Sequence, residues 1–223
     1  MPFKHHMSVN MKTSTLLHID SSPLGAASIS RDLSHRFVER WRETNPGGAV
    51  VTRDLNAAPI PTIDGQWVGA AYTPEEARTA AQREALALSD SLIAELVVAD
   101  EYVFGVPMHN FGVPSVLKIW IDQVVRAGKT FAYVGGAPVG LLKNKKATFL
   151  IASGGVYDAC TAMASYNFVE PYLRTIFGFV GVTETTFLAA GGAAALNYGK
   201  VDRESFLRPH VETIESWFQA LTA

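Results

Sequence analysis

A single cysteine, Cys160, stands among 223 residues, and a lone thiol cannot close an internal disulfide. Stability must therefore come from packing, and the scarcity of sulfur points to a reducing, cytoplasmic setting. Excess charge of either sign is also missing, since 19 basic residues face 21 acidic ones for a net charge of −2. No basic surplus exists to displace counterions, so nucleic acid is excluded as a partner class. No apolar run reaches the roughly 18 residues that a membrane helix needs. The richest stretch, Ile176 to Leu196, is interrupted by Glu184 and by threonines. The first twenty residues carry Lys4 and Lys12 but no apolar segment of the secretory kind. The P-loop, G-x-G-x-x-G, G-x-S-x-G, H-E-x-x-H and C-x-x-C patterns are all absent, so neither zinc nor a nucleophile elbow is expected. Cys160 follows Asp158 closely, and a neighbouring carboxylate opposes a thiolate, so it reads as inert.

What is present is a hydrophobic share of 48%, enough for a sizeable core in one domain. Residues 1–12 read as an N-terminal leader outside the fold, with His5 and His6 part of it and not metal ligands. Residues 13–223 carry the domain. Short apolar strands are expected at Thr15–Asp20, Ala49–Leu55, Glu101–Val106, Ala147–Ala152 and Thr185–Ala190. Helices are expected from about Ser30 to Arg42, from Thr73 to Val98 with room for a break, from Pro114 to Arg126, from Ala162 to Phe177 and from Arg203 to Ala220. Asn56–Tyr72 and Gly128–Asn144 read as long loops facing a partner or the active site. Strict alternation of strand and helix indicates a parallel sheet covered on both faces. Five strands suit the flavodoxin-like order 2-1-3-4-5.

In such a sheet, ligands bind at the carboxyl edge where the strand order reverses, which brings together three distant loops. Ser21 to Ser30 is rich in hydroxyls and small residues and opens a helix, a setting for phosphate held by neutral donors. Capping by Ser28 or Ser30 is an equally good reading of that loop alone. Pro107, Met108, His109, Asn110 and Phe111 offer a flat wall with polar backbone, suited to a planar heteroaromatic ring. Met108 and Phe111 could equally be core. Ser153, Gly154 and Gly155 leave backbone N–H groups beside such a ring, though a glycine pair is also a plain turn. Their meeting at one edge is what favours a ligand site. His18, inside an apolar strand, reads as a satisfied core histidine, and Asp20 as the partner of a cation or turn.

The segments S-S-P-L-G-A-A-S-I-S, P-M-H-N-F-G-V-P-S-V-L-K, R-A-G-K-T-F-A-Y and S-G-G-V-Y occur in that order. R-D-L at Arg53 to Leu55, P-I-P at Pro59 to Pro61 and E-A-L-A-L-S-D at Glu84 to Asp90 join them. Together they resemble the FMN-dependent NADH:azoreductases, also called FMN-dependent NADH:quinone oxidoreductases, over essentially the whole chain after the leader. The resemblance implies a flavodoxin-like homodimer with one FMN per subunit and active sites at the interface. It implies that Ser21, Ser28, Ile29 and Ser30 hold the phosphate. Pro107, Met108, His109, Asn110 and Phe111 would line the flavin, and Ser153, Gly154 and Gly155 its pyrimidine side. Phe111, Tyr133 and Phe179 would stack the acceptor, the last two from the partner subunit. Two positions depart from the family pattern: His109 stands where tyrosine is frequent, and Ser153 where some members carry arginine.

The implied reaction is ping-pong two-electron transfer. NADH or NADPH gives hydride to flavin N5, and a quinone or azo compound then accepts it, with no obligatory catalytic side chain. The alternative is a flavodoxin-type electron carrier, which would need a strongly acidic docking surface that a net charge of −2 does not favour.

Overall fold

The computed structural model describes residues 13–220, and the leader expected at residues 1–12 lies outside the described residues. Along the chain run β1 (Thr15–Asp20), α1 (Ile29–Thr44), β2 (Ala49–Asp54), α2 (Gly65–Tyr72), α3 (Ala80–Val98), β3 (Glu101–Pro107) and α4 (Ser115–Val124). They are followed by β4 (Phe131–Val134), β5 (Ala137–Gly140), β6 (Lys146–Ala152), α5 (Val169–Val180), β7 (Glu184–Ala190), α6 (Ala194–Asn197) and α7 (Arg203–Gln219).

A five-stranded parallel sheet has the order β2-β1-β3-β6-β7. The flavodoxin-like α/β reading stands, but the expected order 2-1-3-4-5 does not. Its fourth and fifth members are β6 and β7, because β4 and β5 form a separate antiparallel pair. That hairpin occupies the segment read as the irregular loop Gly128–Asn144. Gly135 and Gly136, both at positive φ, form its two-residue turn.

The strands run apolar because both faces of the sheet are covered. Period-2 alternation sends Leu17, Ile19, Tyr102, Phe104, Phe149 and Ile151 to the face packed by α3, α4 and α5. Leu16, Val103, Leu150, Ala152 and Leu188 go to the face covered by α1 and α7. On the first face, Phe104, Phe149 and Phe187 stand at one register of three neighbouring strands. Their rings stack with centroids 4.9 Å apart at each step. Phe177 meets Phe104 and Phe149 edge-on from α5, so this helix is keyed to the ladder.

Several boundaries differ from the sequence reading. Asn56–Tyr72 is not wholly irregular, since Asp64 accepts a bond from the Trp67 N–H and starts α2. Thr73-Pro74-Glu75-Glu76 yields only a 3-10 turn, because Arg78 is extended and interrupts the helix. The long helix starts at Ala80, where Thr79 and Gln82 form a capping box. The helix placed at Ala162–Phe177 begins at Val169, where the Asn167 carboxamide takes the N–H groups of Val169 and Glu170.

The hairpin docks on α5 through Gly140, whose missing side chain lets it lie against the Val180–Gly181 backbone. Gly140→Ala should therefore cost about 1–3 kcal/mol through overpacking against the backbone. Urea denaturation with the same m-value and a lower midpoint would show it, and an unchanged midpoint would contradict this packing.

Candidate functional site

Because the strands are parallel, the ends of β1, β3, β6 and β7 all reach the same edge. Each end is stitched to the next. The Ser21 N–H donates to the Gly105 carbonyl at 3.1 Å, Met108 to Ala152 at 2.7 Å, and Ser153 to Ala190 at 3.1 Å. The strand order reverses between β1 and β3, so the edge opens there. A cleft of about 320 Å³ occupies that opening.

Of the residues expected at the site, Ser28, Ile29, Pro107, Met108, His109, Ser153 and Gly154 line the cleft. Ser21 does not. It is wholly buried, and its hydroxyl donates to the Gly105 carbonyl at 2.9 Å, so it secures the loop while Ser22 faces the opening. Ser30 is also buried, with its hydroxyl 3.2 Å from that of Ser28. Ser22, Leu24 and Ala27, inside the loop Ser21 to Ser30 already read as a ligand loop, line it too. Sequence reasoning missed Ala152, Ala193, Ala194, Leu196 and Asn197, which complete the lining. The carboxyl-edge rule would have found the last four, since they follow β7 through Gly191 and Gly192.

At the head of α1, the Ser28 hydroxyl accepts from the Arg31 N–H, as an N-cap does. The N–H groups of Ile29 and Ser30, at the first two helical positions, have no intrahelical acceptor within reach. Both readings of the loop thus coexist. Ser28 caps the helix, and two oriented donors remain at its positive end. On the opposite wall, the N–H groups of Gly154 and Gly155 are used by no chain acceptor among the described residues.

The loop after β3 is a two-residue turn in which His109 and Gly112 exchange N–H···O bonds at 3.0 Å. Its central residues, Asn110 and Phe111, have φ of 47° and 69°. Asparagine tolerates this conformation, but for phenylalanine it stores strain of order 1–3 kcal/mol, a cost typically retained at functional sites. Phe111 is thereby held outward, its ring 5.1 Å from Tyr166 and 6.0 Å from Tyr157. Asn110, Phe111 and Gly155 border the cleft without lining it. Tyr133 and Phe179 belong to another aromatic group around Phe131 on the hairpin, with Tyr133 66% exposed.

Behind the first loop, β1 turns His18 and Asp20 toward α1. Asp20 Oδ1 accepts from the Ser34 hydroxyl at 2.8 Å, and Oδ2 lies 3.2 Å from His35 Nε2 and 3.6 Å from Arg31. His18 Nε2 lies 3.0 Å from Ser34 Oγ. His18, Asp20 and His35 offer three metal-ligand atoms within 4.8 Å of one another, but the carboxylate is already compensated by Arg31 and Ser34. A cation there would have to displace both. A more polar cleft of about 550 Å³ lies beside this network, where Arg31 and Arg36 mix with Asp32 and Glu39. It lies on the outer side of the first loop and along α1, with no residue from the ends of β3 or β6 in its lining.

Residues 14–216 match a protein family described by its flavodoxin-like fold. The chain is 52% identical over 200 residues to an FMN-dependent NADH:quinone oxidoreductase of Acidobacterium capsulatum, covering 90% of this chain and 97% of that one. It is 48% identical over 203 residues to a Burkholderia lata protein named FMN-dependent NADH:quinone oxidoreductase 3, covering 91% and 98%. Among solved structures it is similar to an azoreductase from Bacillus anthracis, with TM-score 0.82, 27% identity and coverage of 92% and 98%.

Burial pushes the Asp20 carboxyl up, but His18, Ser34 and Arg31 together outweigh it and hold the group below its ordinary value of 3.8. A depressed carboxylate contributes stability that is present above its unfolded value and is lost as pH falls through the folded one. Asp20→Asn should therefore lower stability at neutral pH and flatten the loss of stability below about pH 4. Unfolding free energies measured from pH 2 to 7 check this. An acid limb identical to that of the parent protein would remove Asp20 as its source.

Proposed function

From the premise that this chain belongs to the flavodoxin-like FMN-dependent NADH:quinone oxidoreductases, we propose that it transfers two electrons from a reduced nicotinamide to quinones and azo compounds. The observation that carries the reading is the pairing of free N–H donors at the α1 terminus with a flat wall across the switch point. An anion fits the first and a planar ring the second, which is the chemistry of FMN. When bound, FMN supplies a ring that takes hydride from nicotinamide and passes two electrons to an acceptor.

The chain's own residues bind, orient and shield. The backbone of Ile29 and Ser30, with the Ser28 hydroxyl, would hold the phosphate, and Ser21 would fix the loop from behind. Pro107, Met108 and His109 would flank the ring on the β3 side, with Asn110 and Phe111 at its outer rim. Ser153, Gly154 and Gly155 would meet its polar edge through backbone N–H groups. The Ser153 hydroxyl is engaged with the Gly155 carbonyl at 2.8 Å, so it shapes this turn. Donor and acceptor would use one exposed face in turn, which supports ping-pong kinetics. A pure electron carrier is disfavoured, since the relatives are named for turnover.

A homodimer fits the exposed apolar groups. Tyr133 and Val134 on the hairpin are 66% and 64% exposed, and Phe168 ahead of α5 is 61% exposed. Tyr133 and Phe179 lie away from the cleft of their own chain, as a role toward a second subunit requires. No helix among the described residues is long and apolar enough to cross a membrane.

Two measurements test the reading. Protein loaded with FMN should lose its visible flavin absorption on adding NADH and regain it with benzoquinone. Failure of both NADH and NADPH to bleach it would refute the assignment. Sedimentation at micromolar concentration should give a dimer, and Tyr133→Lys should weaken it. A monomer with full quinone turnover would refute the shared site.

A further inference from the structure

The first loop separates two environments. Its inner side faces the cleft, and its outer side meets two arginines that the reaction itself does not need. Arg31 Nε and Nη2 donate to the Ser22 carbonyl at 2.9 and 2.7 Å, and Nη2 also reaches Asp54 at 2.6 Å. Arg203, from the far end of the chain, donates to the Ala27 carbonyl at 2.9 Å and to the Ser28 carbonyl at 3.0 Å. Its Nη2 also lies 3.4 Å from the Ala26 carbonyl and 3.0 Å from Asp32 Oδ2. Four carbonyls, at both ends of the loop, are thus drawn outward by two guanidinium groups.

A trans peptide points its carbonyl and the following N–H in opposite directions. The Ser28 carbonyl accepts from the Asp32 N–H at 3.3 Å as well as from Arg203, so the start of α1 and the guanidinium together turn the Ile29 N–H to the other side. The outward pull also removes from the cleft the carbonyl oxygens that would repel an anion. Arg203 sits at the first position of α7, where the helix dipole disfavours a cation. Asp202 caps that helix and Asp32 aims the guanidinium, so the charge is held there against the local preference. The planar fork suits several acceptors at once in a way that an ammonium does not.

We propose that Arg31 and Arg203 are positioning residues that set the loop for a phosphomonoester and so determine the preference for FMN over unphosphorylated riboflavin. This rests on the FMN reading of the cleft. Neither guanidinium lines the cleft, and each acts through the backbone it holds. Arg203 carries the separable part of the effect, because Arg31 also compensates the buried Asp20.

The test is titration of the full chain, stripped of flavin, with FMN and with riboflavin, followed by quenching of flavin fluorescence. Arg203→Gln should weaken FMN about tenfold or more while changing riboflavin less than about twofold, and Arg203→Lys should recover part of the loss. A purely structural tether between α7 and α1 would weaken both flavins alike or neither, and an unchanged ratio of the two affinities overturns the proposal. Should Arg203→Gln fail to fold, Asp32→Asn reads the same ratio by releasing the guanidinium from its carboxylate, with the same result decisive. Parent protein that binds neither flavin would instead overturn the functional reading itself.

Discussion

The site depends on one close approach, that of α1 to β3 at Gly105. A side chain there would begin 2.5 Å from Asp20 Oδ1, 2.9 Å from the Ser30 carbonyl and 3.0 Å from Ser34 Oγ. Its absence lets the first turn of α1 settle onto the sheet directly beside the end of β1. The Gly105 carbonyl then receives both the N–H and the hydroxyl of Ser21, so the strand end and the loop start are fixed together. A helix lifted by even a methyl group would carry its N-terminal donors away from the switch point. The cleft is thus a consequence of packing before it is one of chemistry.

The same approach buries Asp20, and a buried carboxylate needs compensation. Ser34, His35, His18 and Arg31 supply it, and Arg31 is shared with Asp54 and with the Ser22 carbonyl. This use of charge explains the neutrality of the cleft wall. The arginines nearby are engaged behind the loop, while groups that face the opening are backbone amides, hydroxyls, apolar side chains, the His109 imidazole and the Asn197 carboxamide. Such a surface can hold an anion with modest desolvation cost, because the donors are already oriented and partly dehydrated.

Much of this was legible in the sequence, and what was not has physical reasons. The five strands were readable because a sheet covered on both faces demands unbroken apolar runs. Three of the four loops at the carboxyl edge followed from topology alone. The fourth, after β7, escaped because Ala193 to Leu196 is wholly apolar and contributes shape, leaving Asn197 as its one polar side chain. The hairpin of β4 and β5 escaped because four-residue strands give too short an alternation to see, leaving only Gly135-Gly136 as a signal. Helix α2 escaped because Gly65 and Gly69 suggest a loop, whereas Trp67 anchors it to the buried Gln123 at 2.9 Å. Ser21 and Ser22 could not be told apart, since their roles depend on which way the strand end turns.

The positive-φ turn at Asn110 and Phe111 was likewise invisible, and it bears on how such a site can diversify. The bonds between His109 and Gly112 fix the turn through backbone atoms alone. Side chains at His109 and Phe111 can therefore change without dismantling the wall they stand on. Phe111 is aimed outward toward Tyr157 and Tyr166, groups carried by the segment between β6 and α5. The Phe168 N–H, in that same segment, is bonded to the Phe111 carbonyl at 3.1 Å, which ties the turn to the segment. On the proposed reading, acceptor preference would reside in this coupled aromatic rim and flavin binding in the backbone beneath it. Separating the two on different atoms lets one vary while the other is conserved by the fold itself.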